Sequence, residues 1–161
     1  MAAMRAGLGG ALGLVLLALP GGQAAAQQVR LTKLSDVDFG TLSSTNEVSR
    51  AQNVCAFATS FSGLYSVRAS GSGTAGALTL AGSGAPLAYE VQWAGSRNQT
   101  SGTALPANTT VGGFSDGDVL ELCNLINLSS ASLIVILRAA ALSAATAGSY
   151  SGTLTLVIAA Q

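Results

Sequence analysis

Apolar and polar residues alternate along much of the chain with a period of two. The runs are rich in Val, Ile, Leu, Thr and Tyr and are set between clusters of Gly, Ser, Asn and Asp. That period places successive side chains on opposite faces of an extended segment, so these runs predict strands with one buried face. Residues 87–93, LAYEVQW, give the cleanest example: Leu87, Tyr89, Val91 and Trp93 face one way, Glu90 and Gln92 the other. Residues 64–70 alternate Tyr65, Val67 and Ala69 against Ser66, Arg68 and Ser70. Residues 48–61 set Val54, Ala56 and Ala58 opposite Cys55 and Phe57. A first strand is expected over 29–39, kinked near Ser35-Asp36, and a short one over 77–80 between glycine-rich turns. Residues 133–137, LIVIL, are apolar on both faces, as a central strand covered on both sides is. Residues 94–110 are polar and loop-like, and the alanines of 139–147 allow a helical turn too short to stand alone. The spacing predicts an all-β sandwich or barrel, with no internal repeat and no second domain.

The last run, SYSGTLTLVIAAQ over 149–161, raises a specific problem. Tyr150, Leu154, Leu156 and Ile158 share one face, and Ser151, Thr153 and Thr155 the other. The sequence closes there, so this strand is expected to present an open edge. Residues 153–159 hold neither proline nor charge, the usual devices that blunt such an edge. Two solutions are open: residues 29–34 pair alongside it and close the fold internally, or a strand from another chain pairs there, as in β-augmentation.

The N-terminus changes the setting. Arg5 precedes an uncharged apolar run over 8–19, Pro20-Gly21-Gly22 breaks it, and Ala24-Ala25-Ala26 supplies small residues for cleavage. Residues 1–26 therefore read as a secretory signal peptide; the run is too short for a spanning helix. The mature chain, 27–161, fits one domain with no membrane span. In the oxidising compartment this implies, Cys55 and Cys123 read as a single disulfide. It closes a loop of about 69 residues, worth roughly 4 kcal/mol of chain entropy.

Charge and chemistry exclude more than they suggest. The mature chain carries six basic and seven acidic side chains with Lys33 its one lysine, which leaves no electrostatic footprint for nucleic acid. It contains no histidine, which removes the commonest general base and metal ligand. Asp116-Gly117-Asp118 with Glu121 matches no twelve-residue calcium loop and reads as turn chemistry. Glu90 lies on the polar face of its strand and reads as a solvated carboxylate, not half of a glycosidase pair. Tyr89 and Trp93 fall where a core needs large side chains, although an aromatic platform is the alternative. Asn98, Asn108 and Asn127 begin glycosylation-type triplets. No catalytic, cofactor or metal site is expected, and the reading is of a non-enzyme.

The order of several stretches resembles a known family. CAFATSFSGLYSVRASGSGTAGALTL, then LAYEVQW, then AGSYSGTLTLVIAAQ are similar to the spore coat protein U domain, found in subunits of archaic chaperone–usher pili. Its early DFG stretch has its counterpart in Asp38-Phe39-Gly40. Its cysteine followed by a Tyr-x-Val strand is matched by Cys55 and Tyr65-Ser66-Val67, and its closing Gly-x-Tyr-x-x-Thr by Gly148, Tyr150 and Thr153. The resemblance implies an immunoglobulin-like sandwich lacking its last strand, secreted through the periplasm to a cell-surface fimbrium. A periplasmic chaperone, an outer-membrane usher and neighbouring subunits are the partners it implies. Tyr150, Leu154, Leu156 and Ile158 would line the groove that accepts the donor strand, and Gly148 would belong to the chaperone and assembly motif. The chain departs from the pattern in carrying Ala160 where pilins often have an aromatic, and in having only 27–33 ahead of LSDVDFG as a donor. That short donor segment suits a tip or terminal position. A self-sufficient secreted binding module, using Trp93 or the 94–110 loop, is the competing expectation.

Overall fold

The computed structural model describes residues 27–59, 63–115, 117–118 and 129–161. The expected signal peptide, and Phe61, Asp116, Glu121, Cys123 and Asn127 with it, lie outside these residues. The fold is all-β, with antiparallel sheets and one short helix among the described residues.

The apolar run expected at the centre forms the middle of the larger sheet. Strand β9 (Ala131–Leu137) is buried at every position. It lies between β2 (Val48–Ala58), with Val48 opposite Leu137, and β6 (Glu90–Ala94), with Trp93 opposite Leu133. A side chain here has no solvent face on either side, which is why no alternation survives in the sequence. Strand β1 (Val29–Thr32) pairs with the far half of β2, Val29 opposite Ala58, and β7 (Thr103–Ala104) completes the sheet beyond β6.

The second layer is built from strands that lie end to end. Strand β3 (Tyr65–Gly71) pairs on one side with β8 (Thr110–Phe114) and on the other with β11 (Leu154–Ala160). Beyond a 3-10 turn (Thr74–Gly76), β4 (Thr79–Gly82) pairs with β5 (Leu87–Ala88) and β10 (Tyr150–Ser151). Thus the closing segment runs first along β4 and then along β3. The helix α1 (Ala139–Ala144) occupies the short alanine stretch just after β9.

Residues 87–94 change sheets in mid-course. Leu87 pairs with Leu80 of β4, the Tyr89 N–H donates to the Leu78 carbonyl at 3.0 Å, and Glu90 then pairs with Ile136 of β9. The alternation continues across the switch, so Leu87, Tyr89, Val91 and Trp93 are all buried. One apolar cluster joins both layers, with Val54, Tyr65, Val67, Trp93, Phe114 and Leu133 among its members. At its heart Trp93 Nε1 donates to Tyr65 Oη at 3.0 Å, and the two rings meet edge to face at 6.3 Å.

Three expectations need correction. The first strand does not reach Phe39: β1 ends at Thr32, Lys33 takes a positive φ of 63°, and residues 34–46 form an irregular strap. Nor does 29–34 close the final strand internally, because β1 is hydrogen-bonded to β2 in the other sheet. Trp93 is no aromatic platform, since none of it is exposed. A fourth difference is local. Ser66, expected on the polar face, is 4% exposed because its hydroxyl meets the Ala159 carbonyl of β11 at 3.4 Å.

Candidate functional site

A groove of about 1380 Å³ runs between the strap and the closing strands. Each wall has a separate local cause.

The first wall is the edge of β10 and β11. In the antiparallel ladder with β3, the Gln161 N–H donates to the Leu64 carbonyl at 3.0 Å, which makes 161 and 64 a hydrogen-bonded pair. Alternation then assigns 159, 157 and 155 to bonds with β3 and turns the backbone groups of Leu154, Leu156, Ile158 and Ala160 away from it. No strand pairs with that side of β11 among the described residues. The same four residues are the half-buried ones, while Thr155, Val157 and Ala159 are exposed. Apolar side chains and free backbone groups are therefore offered by the same positions.

The floor comes from the central strands. Leu133, Val135 and Leu137 of β9 point into the groove, joined by Leu80, Leu87 and Tyr89 at the sheet switch. Tyr89 is only 7% exposed, and its hydroxyl is buried without a hydrogen-bond partner among the described residues. Burial pushes its phenol above the ordinary tyrosine value, because the charged form is disfavoured away from water.

The strap forms the opposite wall. Gln52 of β2 anchors it: Ser35 N–H and Oγ both donate to Gln52 Oε1, at 2.9 and 2.8 Å, and Gln52 Nε2 donates back to the Ser35 carbonyl at 3.1 Å. Asp38-Phe39-Gly40 then makes a turn in which the Gly40 N–H donates to Asp38 Oδ1 at 2.7 Å. Gly40 sits at φ 65°, where a side chain is strained. Arg50 holds the turn from β2, its guanidinium 5.8 Å from the Phe39 ring centre and its Nε donating to the Asp38 carbonyl. Asp36 and Asp38 are the charged residues of the lining, and both are acidic.

Residues 145–149 close one end. Tyr150 lines the groove, and its hydroxyl donates to the Thr146 carbonyl at 2.8 Å. Its ring lies across Gly82, where any Cβ would collide with it. Gly148 also lines the groove; at φ 155° a side chain there would come within 2.7 Å of Ser83 Oγ.

Of the expected groove residues, Tyr150, Leu154 and Leu156 come together here, and Gly148, expected in the assembly motif, lines the same groove. Ile158 does not. It shares their face but lies farther along β11, packed against the core cluster. The strap, the β9 floor and Tyr89 were absent from the sequence-based site. Only the β-strand-like pattern of 34–39 hinted that this segment carries apolar side chains inward.

The other candidates lie elsewhere. Glu90 and Glu47 flank Arg138 at 2.5 and 2.8 Å on the surface, and the guanidinium holds the Glu90 carboxyl below the ordinary carboxylate range. Asp118 takes part through its backbone, its N–H donating to the Ala56 carbonyl at 2.9 Å. Asn98 and Asn108 are both at φ 60° and spend their side chains on local bonds, to Asn53 and to the Ala75 carbonyl. Cys55 is 2% exposed, and no described cysteine is a free thiol. Among the described residues no helix is long and apolar enough to cross a membrane. Comparison with family models, curated proteins and solved structures gave no significant match.

Proposed function

We propose that the protein is a structural or tip subunit of a secreted chaperone–usher pilus, completed when a strand from another chain enters the groove. On this reading the fold is a pilin-type immunoglobulin-like sandwich of the spore coat protein U kind, its last strand supplied first by a periplasmic chaperone and then by a neighbouring subunit. An outer-membrane usher guides assembly, and a Cys55–Cys123 disulfide ties β2 to the segment outside the described residues.

The observation that carries this reading is the coincidence on β11. Leu154 and Leu156 turn apolar side chains into the groove, while their backbone donors and acceptors point sideways from an edge that no described strand pairs with. A single extended peptide satisfies both demands, because its main chain pairs with the edge while alternate side chains fill the groove. The floor residues on β9 are fixed by a strand buried on both faces, so the acceptor is preformed. The full burial of Trp93 removes one of the two surfaces that the competing binding-module reading offered, and leaves it the largely exposed 94–110 loop.

Denaturant unfolding of the oxidised chain tests the proposal. Alone, it is expected to unfold in a broad, weak transition or to aggregate. Saturation with a groove-filling strand peptide at about 100 times its Kd should add about 2.7 kcal/mol. A steep transition at a domain's usual 5–15 kcal/mol, or roughly so, that no strand peptide shifts would rule the reading out.

A further inference from the structure

The groove opens along only part of the β11 edge. Its lining takes in Leu154 and Leu156 but neither Ile158 nor Ala160, and on the facing wall it takes in the strap from Leu34 onward but nothing of β1. The position of β1 explains where it stops. Val29 is opposite Ala58, the last residue of β2, and Ala160 is opposite Tyr65, the first of β3. Residues 59–64 join Ala58 to Tyr65, so β1 and the far half of β11 lie at the same end of the molecule. The two strands bring Cα atoms within 8 Å of each other, yet they are not hydrogen-bonded neighbours. A strand inserted between two others needs them about 9.5 Å apart, twice the ladder spacing. None fits between β1 and β11 as they stand. Val29, Leu31 and Ile158 instead pack against the one apolar cluster. At Lys33, with φ 63°, the chain leaves the β2 ladder, and the groove is lined from the next residue on.

We propose that β1 is a gate, carried by the chain itself, on the strand acceptor. It leaves the Leu154–Leu156 half of the edge open and shuts the Ile158–Ala160 half, so a foreign strand seats along all of β11 only after β1 has peeled from β2. The hold on β1 is short enough to be released. It spans four paired residues, and beyond them the Gln28 carbonyl accepts from the Thr59 N–H at 2.9 Å while the Gln28 N–H donates to Thr59 Oγ1 at 2.7 Å. Entry then begins at the open half, where backbone groups and apolar side chains are already offered, and full seating competes with β1. The gate rests on the strand-accepting role proposed above. It goes beyond that role in making acceptance stepwise, with the N-terminal strand as the regulator.

The test uses the full chain and two synthetic peptides of alternating Val and Ser. One has about seven residues, the length of the open stretch beside 150–156, and the other about twelve, enough to run on past Ile158. In the native chain the long peptide should bind within roughly threefold of the short one, because its extra residues find no seat. Arg30→Pro loosens the gate: the Gln28–Thr59 pair makes Arg30–Phe57 the next hydrogen-bonded pair, and proline deletes its donor. There the long peptide should bind roughly tenfold tighter than the short one, whose own affinity stays as it was. Thr59→Val removes only the side-chain clip on Gln28, a milder change that leaves the β1 ladder in place, and should move the ratio the same way by roughly twofold. Hydrogen exchange reads the gate without any peptide. In the native chain the Ile158 and Ala160 amides should exchange more slowly than those of Leu154 and Leu156, and Arg30→Pro should erase the difference. A long peptide with its full advantage in the native chain, or with none in either variant, would overturn the gate and leave strand acceptance intact, and so would four amides that exchange alike. Failure of both lengths on every chain would remove the accepting role and the gate with it.

Discussion

β9 and β11 are both seven residues long and both mainly apolar, ASLIVIL against LTLVIAA. Their fates differ completely. β9 has a strand on each side and is buried at all seven positions. β11 has β3 on one side and alternates half-buried with exposed residues, Val157 being 54% exposed. Composition alone therefore does not decide burial. What decides it is how many neighbours the topology provides, and β11 is left one short within the described chain. β9 is a place where the fold is finished, and β11 is a place where it can still gain.

Substitutions at matched positions should break the symmetry between the two strands most clearly. Ile134 is fully buried, so Ile134→Ala should cost about 2–5 kcal/mol in the free chain through lost burial and a retained cavity. Leu156 faces the groove, and the same truncation should cost only about 1–2 kcal/mol there, since little packed structure surrounds its outer side. The order should reverse in strand binding. Leu156→Ala should weaken a groove-filling peptide by roughly tenfold, as lost apolar contact predicts, whereas Ile134→Ala leaves the affinity of the folded fraction alone. Equal losses of stability at the two sites, measured by chemical denaturation, would mean that β11 is already covered in solution.

The same contrast governs what the sequence made legible. Period-two alternation located β3 and β6 because each has one buried and one open face, and the apolar run located β9 because it has none. The strap escaped because DVDF alternates like a strand; its backbone leaves the ladder at Lys33 and then bends through the Asp38–Gly40 turn. β8 escaped because Gly112 and Gly113 interrupt its pattern. Half of the groove was visible in the final strand. The other half depends on residues far apart in sequence, and the sheet switch at Tyr89 leaves no trace because alternation runs straight through it. An unpaired hydroxyl cannot be recognised before its neighbours are known.

A sharper probe lies on the finished side of the molecule. Trp93 sits opposite Leu133 of β9 and donates to the Tyr65 hydroxyl across the layers. Trp93→Phe removes that donor and leaves a space beside Phe114, whose ring centre is 6.4 Å from that of the tryptophan. The expected loss is about 2 kcal/mol, combining a buried hydrogen bond with a small cavity. Urea midpoints should fall accordingly without any change in peptide affinity, because Trp93 does not line the groove. A change in affinity would mean that the two layers shift together when the core is disturbed, and the contrast between a rigid floor and an open edge would weaken.

The smallest effect concerns how the β9 sheet is fastened at its surface, a device that β11 lacks. Arg138 follows β9 directly and reaches Glu47 beside the start of β2 and Glu90 at the start of β6. One guanidinium thus clasps three adjacent strands, and the paired carboxylates hold it further above its ordinary pKa. The Glu90 carboxyl is lowered from 4.5, first by its hydrogen bond to Arg138. A carboxylate whose folded pKa lies below its unfolded one stabilises the fold above the unfolded value and loses that contribution as pH falls through the folded one. The clasp should therefore act at neutral pH and fade below about 4.5. The Glu90 side chain is 50% exposed, so solvent screening limits the contribution to roughly 0.5 kcal/mol or less. Glu90→Gln should lower stability by that amount at pH 7, and the difference from the native chain should shrink as pH falls below 4.5. A difference that persists in acid would place the role of Glu90 in packing instead of charge, and the β9 sheet would then owe nothing to its surface clasp.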